Sequence, residues 1–127
     1  MQIRHDELHD QMRAWPRTAA NDPFYVGSYE LALQLSRATG WEVVVGFNEF
    51  CGPSVDEALQ EAAGQRPDKI LVITPMMTSG GEHSEHDIPS AIRRTQERYP
   101  DIPMVYAWPF PEAAVADFLA GQLQRHA

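Results

Sequence analysis

The chain has 127 residues, 43% of them apolar and 22% charged, with ten Lys and Arg against eighteen Asp and Glu for a formal net charge of −8. That length suits one domain, residues 1–127, with a core large enough to need no staples, and the acidic balance with scattered basic residues argues against a nucleic-acid partner. One cysteine rules out a disulfide within the sequence, and neither a signal-like apolar stretch after Met1 nor a run of membrane-spanning length occurs, so the expected location is the cytoplasm, away from membranes.

Ile3, Leu8, Met12 and Trp15 predict a helix over residues 2–15 that carries His5 and His9 on one face. An i, i+4 histidine pair can chelate a metal, although ordinary surface histidines give the same pattern. After the Trp15-Pro16 break, Asp22 can cap a helix that Pro23 begins and Gly40 ends. Trp41 to Phe47 is a run of β-formers and predicts a buried strand, with Asn48 and Glu49 at its C-terminal end. Ser54 with Glu57 forms a capping box for a helix through Ala62 or Ala63. Lys69 to Thr74 predicts a second strand and Met104 to Ala107 a third. A helix from about Asp87 to Tyr99, with Pro89 in its first turn, lies between them, and a last helix carries Ala114, Val115, Phe118, Leu119 and Leu123.

Strands alternating with helices at this spacing predict right-handed β-α-β units, a parallel sheet covered on both faces, and a ligand site beyond the strands' carboxyl ends. Three segments meet there: Asn48, Glu49 and Cys51; Thr74 through His86; and Trp108 with Phe110. The middle segment forms a loop of about a dozen residues, longer than most strand-to-helix connections. Its Ser79-Gly80-Gly81 turn and the next helix N-terminus favour an anionic ligand group, while His83 and His86 are candidate metal ligands among Glu82, Glu85 and Asp87. Phe47, Phe50, Met76, Met77, Trp108 and Phe110 suit a flat, polarizable ligand, or they are simply core. For His83 the ordinary alternative is a loop histidine satisfied by backbone groups, for Glu49 a surface carboxylate, and for Cys51 a small buried residue.

The segments G-F-N-E-F-C-G-P-S-V-D-E-A-L (Gly46 to Leu59), G-G-E-H-S-E-H-D-I-P (Gly80 to Pro89) and Y-A-W-P-F (Tyr106 to Phe110) resemble the sirohydrochlorin cobaltochelatase family, the small class II chelatases of cobalamin and sirohaem synthesis. The resemblance runs from about Asp22 to Leu123 and implies a flavodoxin-like α/β domain with helices on both faces of its sheet. The implied reaction inserts a divalent metal into a tetrapyrrole: Co²⁺ into sirohydrochlorin, or Ni²⁺ or Fe²⁺ in relatives. His83 matches the family's metal-binding histidine, and Glu49 matches an acidic residue suited to accepting protons. Ser79, Gly80 and Gly81 then become the seat for a substrate carboxylate, with Met76 and Trp108 against the macrocycle. Arg17, Arg93 and Arg94 are candidates for offsetting its charge. Short members of the family pair, which implies a homodimer.

In one respect the sequence departs from the family, whose members begin with a strand ending in a Gly-His-Gly element that has no counterpart here. Trp15 to Pro23 resembles the stretch beyond that strand and its helix in longer relatives, so the domain reads as N-terminally truncated. The open sheet edges are then expected to be covered by self-association, by the Met1 to His5 segment or by further residues, and His5 or His9 is a candidate replacement for the second histidine. A chain that kept the pocket without that histidine would bind tetrapyrrole or metal without catalysis, which is the alternative to a working chelatase.

Overall fold

A computed structural model describes residues 22–48 and 52–127. The expected helix over 2–15 with His5 and His9, Arg17, and residues Glu49, Phe50 and Cys51 lie outside the described residues. In chain order the elements are α1 (Pro23–Thr39), α2 (Val55–Gly64), β1 (Ile70–Val72), a π-helical turn (His83–Asp87) that runs into α3 (Ile88–Arg98), β2 (Met104–Tyr106) and α4 (Glu112–Gln124).

Local chemistry sets the helix ends. Asp22 Oδ1 accepts from the Tyr25 amide at 3.0 Å with Pro23 just inside the helix, and Gly40 ends α1 at φ 74° while its N–H donates to Ser36 O at 2.7 Å. At α2 the Ser54 hydroxyl accepts from the Glu57 amide and the Glu57 carboxylate accepts from the Ser54 amide, both at 3.1 Å. Such a reciprocal cap contributes about 1 kcal/mol.

The sheet is small and parallel, with Ile70 opposite Met104, Leu71 opposite Val105 and Val72 opposite Tyr106. The Ile70 amide donates to Pro103 O at 2.9 Å, and the Ala107 amide donates to Val72 O at 2.7 Å. Successive side chains alternate across the pleat. Ile70, Val72 and Met104 therefore turn toward α2 and α3, where Leu59, Ala63, Ala91 and Ile102 complete a buried cluster. Each large aliphatic side chain buried there stabilises the fold by about 1.5–3 kcal/mol.

Two expectations need correction. Trp41 to Phe47 is not a strand, because only Phe47 is bridged, to Ser54, through its amide on Pro53 O at 2.8 Å. Its β-forming side chains extend the backbone, but a strand also needs a neighbour's N–H and C=O groups, and among the described residues none is there. The sheet is also not covered on both faces among the described residues. Leu71, Ile73 and Val105 point away from α2 and α3 and stay 46%, 52% and 44% exposed, and neither α1 nor α4 buries a residue. What seats α1 is Phe47, buried under a stack with Tyr25 at 5.5 Å and tilted and edge contacts with Tyr29 and Phe24. Among the described residues no helix is long and apolar enough to cross a membrane.

Candidate functional site at the end of the first strand

Beyond Val72 the chain crosses the carboxyl end of the sheet, with Thr74 buried, and reaches the glycine turn. Gly80 has φ 98°, a left-handed backbone that glycine adopts without a Cβ clash. Its amide donates to Glu85 Oε1 at 2.9 Å. The Gly80 N–H is thus met by a carboxylate of the chain itself, and a ligand carboxylate at that amide has to displace Glu85. Ser79 and Gly81 flank the turn at the surface, and Gly81 O accepts from the Ser84 hydroxyl and the Glu85 amide.

The next helix begins earlier than the sequence suggests, at His83 rather than near Asp87. Pro89 explains the geometry. It has no N–H to offer, and its ring crowds the carbonyl four residues back, so a helix running through it must widen. Here the Ile88 amide passes over Ser84 and donates to His83 O, forming a π-helical turn of the kind often found at functional sites. His83 and His86 thereby stand on a helix rather than in a loop. Across one step of that turn, His83 Nδ1 meets Asp87 Oδ2 at 2.7 Å, both side chains part-exposed.

The widened turn leaves Ser84 O without a helical donor, since in this register the donor would come from Pro89. Ser84 is fully buried, and the hydroxyl of Tyr106 at the end of β2 donates to that carbonyl at 3.0 Å. Burial raises the Tyr106 pKa from its ordinary 10.0, and the nearby charge of Glu85 adds to the effect. Tyr106 stacks on Trp108 at 5.7 Å, and the Trp108 indole N–H donates to Met76 O at 2.7 Å. Trp108 and the Met76 backbone are thus brought together through a bond that fastens the loop to the strand. Residue type alone does not point to Tyr106 or Ser84; the available signal is a proline just inside an acidic, histidine-bearing helix start.

Beside the π turn lies an open cleft of about 280 Å³, lined by Asn48, Ser54, Asp56, His86, Asp87 and Arg94 among others. Asn48 brings the end of the first extended segment to the same cleft as Asp87, while Glu49, the next residue, lies outside the described residues. Arg94, an expected counter-charge to a ligand, lines this cleft while its guanidinium grips Asp56 with bonds of 3.1 and 2.9 Å and ties α3 to α2. The hydrogen bond and the charge of Asp56 raise the Arg94 pKa, and the charge of Asp87 contributes less. Arg93 donates to the Ser90 hydroxyl at 3.0 Å. No group of three or more His, Cys, Asp or Glu side chains able to hold a metal ion converges among the described residues.

A small parallel sheet, with an imidazole–carboxylate pair on the helix after its first strand, defines an α/β protein with its candidate site at the strands' carboxyl ends. The chain belongs to the CbiX family, the small class II chelatases: the family model described as CbiX matches residues 26–125. A sirohydrochlorin ferrochelatase of Priestia megaterium is 30% identical over 66 residues, which cover 52% of this chain and 24% of the relative. Sirohydrochlorin cobaltochelatases of Methanopyrus kandleri and Methanothermobacter thermautotrophicus are 44% identical over 50 residues and 45% identical over 47. Those matches cover 39% and 37% of this chain, and 34% and 32% of the relatives. The chain therefore spans about a quarter to a third of the length of the curated relatives it matches. No solved structure matches it.

Proposed function

We propose that this chain inserts a divalent metal into a sirohydrochlorin-like tetrapyrrole, with Co²⁺ as the leading substrate and Ni²⁺ or Fe²⁺ as alternatives. Insertion requires the metal to shed water and two pyrrole protons to leave. His83 ligates the incoming metal and Glu49 accepts protons, a minimal set for that exchange. The observation that carries the reading is the meeting of two segments at one cleft: Asn48 and Asp87 line the same opening, and His83, outside that lining, is bonded to Asp87. Trp108 and Met76 supply the apolar margin for the macrocycle, and the Ser79 to Gly81 turn takes a substrate carboxylate once Glu85 yields the Gly80 amide. The names of the relatives support a tetrapyrrole substrate.

Residues 1–127 form one flavodoxin-like domain in this reading, supported by the parallel β1-α3-β2 crossover. It works in the cytoplasm as a homodimer. The open apolar face of Leu71, Ile73 and Val105 supports pairing, since contiguous exposed apolar surface marks contact regions. The test follows metal insertion by the change in macrocycle absorbance. Wild-type protein is expected to accelerate Co²⁺ entry into sirohydrochlorin above the spontaneous rate, and Glu49→Gln to slow it by roughly 10²-fold or more, as for loss of a general base. Stoichiometric binding of the macrocycle with no acceleration would refute catalysis and leave a binding module.

A further inference from the structure

We infer that Asp87 is a positioning residue: it holds the His83 imidazole with its proton on Nδ1, so that the lone pair sits on Nε2 as the metal-donating atom. The inference rests on the reading of His83 as the metal ligand, and adds a role for a side chain to which no function has been attached. A neutral imidazole has one N–H and one lone pair, and which nitrogen carries which is set by what the ring faces. Asp87 Oδ2 lies 2.7 Å from Nδ1, at the short end of the range for a charge-assisted N–H···O bond. An ionised carboxylate only accepts. The proton between the two atoms therefore belongs to Nδ1.

The backbone around the pair is fixed in a way that serves the same end. Between His83 and Asp87 stands Ser84, with no exposed surface, its hydroxyl on Gly81 O at 3.2 Å and its carbonyl under the Tyr106 hydroxyl at 3.0 Å. The His83 carbonyl is itself taken by the Ile88 amide across the widened turn. Main chain and ring are thus held from two sides. Only this early helix start places Asp87 four residues after His83 on one helical surface; a helix beginning at Asp87 would leave His83 in the loop. A part-exposed pair of this spacing adds little to stability, so its removal can be read at the site without confusion from unfolding. Carboxylates that orient metal-binding histidines commonly account for roughly 10–100-fold in metal affinity.

The experiment uses the full chain and compares wild type with Asp87→Asn, Asp87→Glu and His83→Gln. Asparagine keeps the shape but offers an amide N–H as readily as an oxygen, so the ring is no longer confined to one tautomer. Proton–nitrogen correlation spectra of the imidazoles, with His83 assigned by its loss in His83→Gln, are expected to give an Nδ1–H ring in wild type. Asp87→Asn should shift it toward Nε2–H, and Asp87→Glu should restore it at least in part. Equilibrium Co²⁺ affinity, read by titration, should fall roughly 10–100-fold in Asp87→Asn and recover with Asp87→Glu. An unchanged His83 tautomer in Asp87→Asn overturns the inference, as does a changed tautomer with unchanged Co²⁺ affinity. If His83→Gln binds Co²⁺ as wild type does, the ligand role of His83 fails, while the tautomer spectra still report on Asp87 by themselves.

Discussion

Replacing Tyr106 by Phe deletes one oxygen atom and takes from the buried Ser84 carbonyl the donor it has in the structure. Ser84 O is buried, lies outside the ordinary helix ladder because Pro89 has no N–H, and accepts from the Tyr106 hydroxyl at 3.0 Å. The Phe ring keeps the stack on Trp108 at 5.7 Å, so the change removes the hydrogen bond and little packing. A buried acceptor left without its donor costs about 1–3 kcal/mol, more than the net worth of an ordinary exchanged hydrogen bond. With a urea dependence of about 1–3 kcal/mol per molar for a small domain, the denaturation midpoint should fall by about 1 M. The loss should be local as well as global, with amide hydrogen exchange rising over His83 to Ile88, because the π turn loses its strut. A midpoint and exchange rates matching wild type would refute the claim that Tyr106 carries this turn.

Two further outcomes are expected from the same geometry. A Cβ placed on Gly46 would sit 2.9 Å from Ala58 Cβ, 3.0 Å from Val55 Cα and 3.1 Å from Ser54 O. Two of those three contacts are backbone and cannot yield, so Gly46→Ala should cost about 1–3 kcal/mol, measured as a lowered Tm, and an unaltered Tm would contradict the close approach. The raised pKa of Tyr106 means that the fold favours the neutral phenol. Its contribution is fully present below the unfolded value of 10.0 and is lost as pH rises through the folded value, so denaturation at stepped pH should reveal an alkaline loss that Tyr106→Phe lacks. Parallel pH profiles for the two proteins would refute it.

The parts of the fold legible from sequence are those whose causes are local. Asp22-Pro23, Ser54 with Glu57, and Gly40 are each a single capping event within four residues, and the structure places the helix ends there. Ile70 to Val72 and Met104 to Tyr106 pair because each finds the other. Trp41 to Phe47 has the same strand-forming composition but no neighbour among the described residues, so propensity alone leaves it as unpaired extended chain. The start of the long helix is not legible, because Pro89 normally marks a first turn, whereas here Tyr106, 17 positions along, satisfies the carbonyl that the proline orphans. By residue type Arg94 is free to be a counter-charge; its bond to Asp56, 38 residues away, is a product of the packing of α2 on α3. In the candidate site, His83 is legible by residue type and its partner Asp87 is not, because their contact depends on that widened turn.

The central claim about this protein is that the imidazole of His83 takes the metal from water and delivers it to the macrocycle. Co²⁺ insertion into sirohydrochlorin, measured by absorbance with wild type and His83→Ala side by side, tests it most directly. The variant is predicted to fold with wild-type helix content, still bind the macrocycle and fall to within a few-fold of the spontaneous insertion rate. Insertion by His83→Ala at the wild-type rate would contradict it.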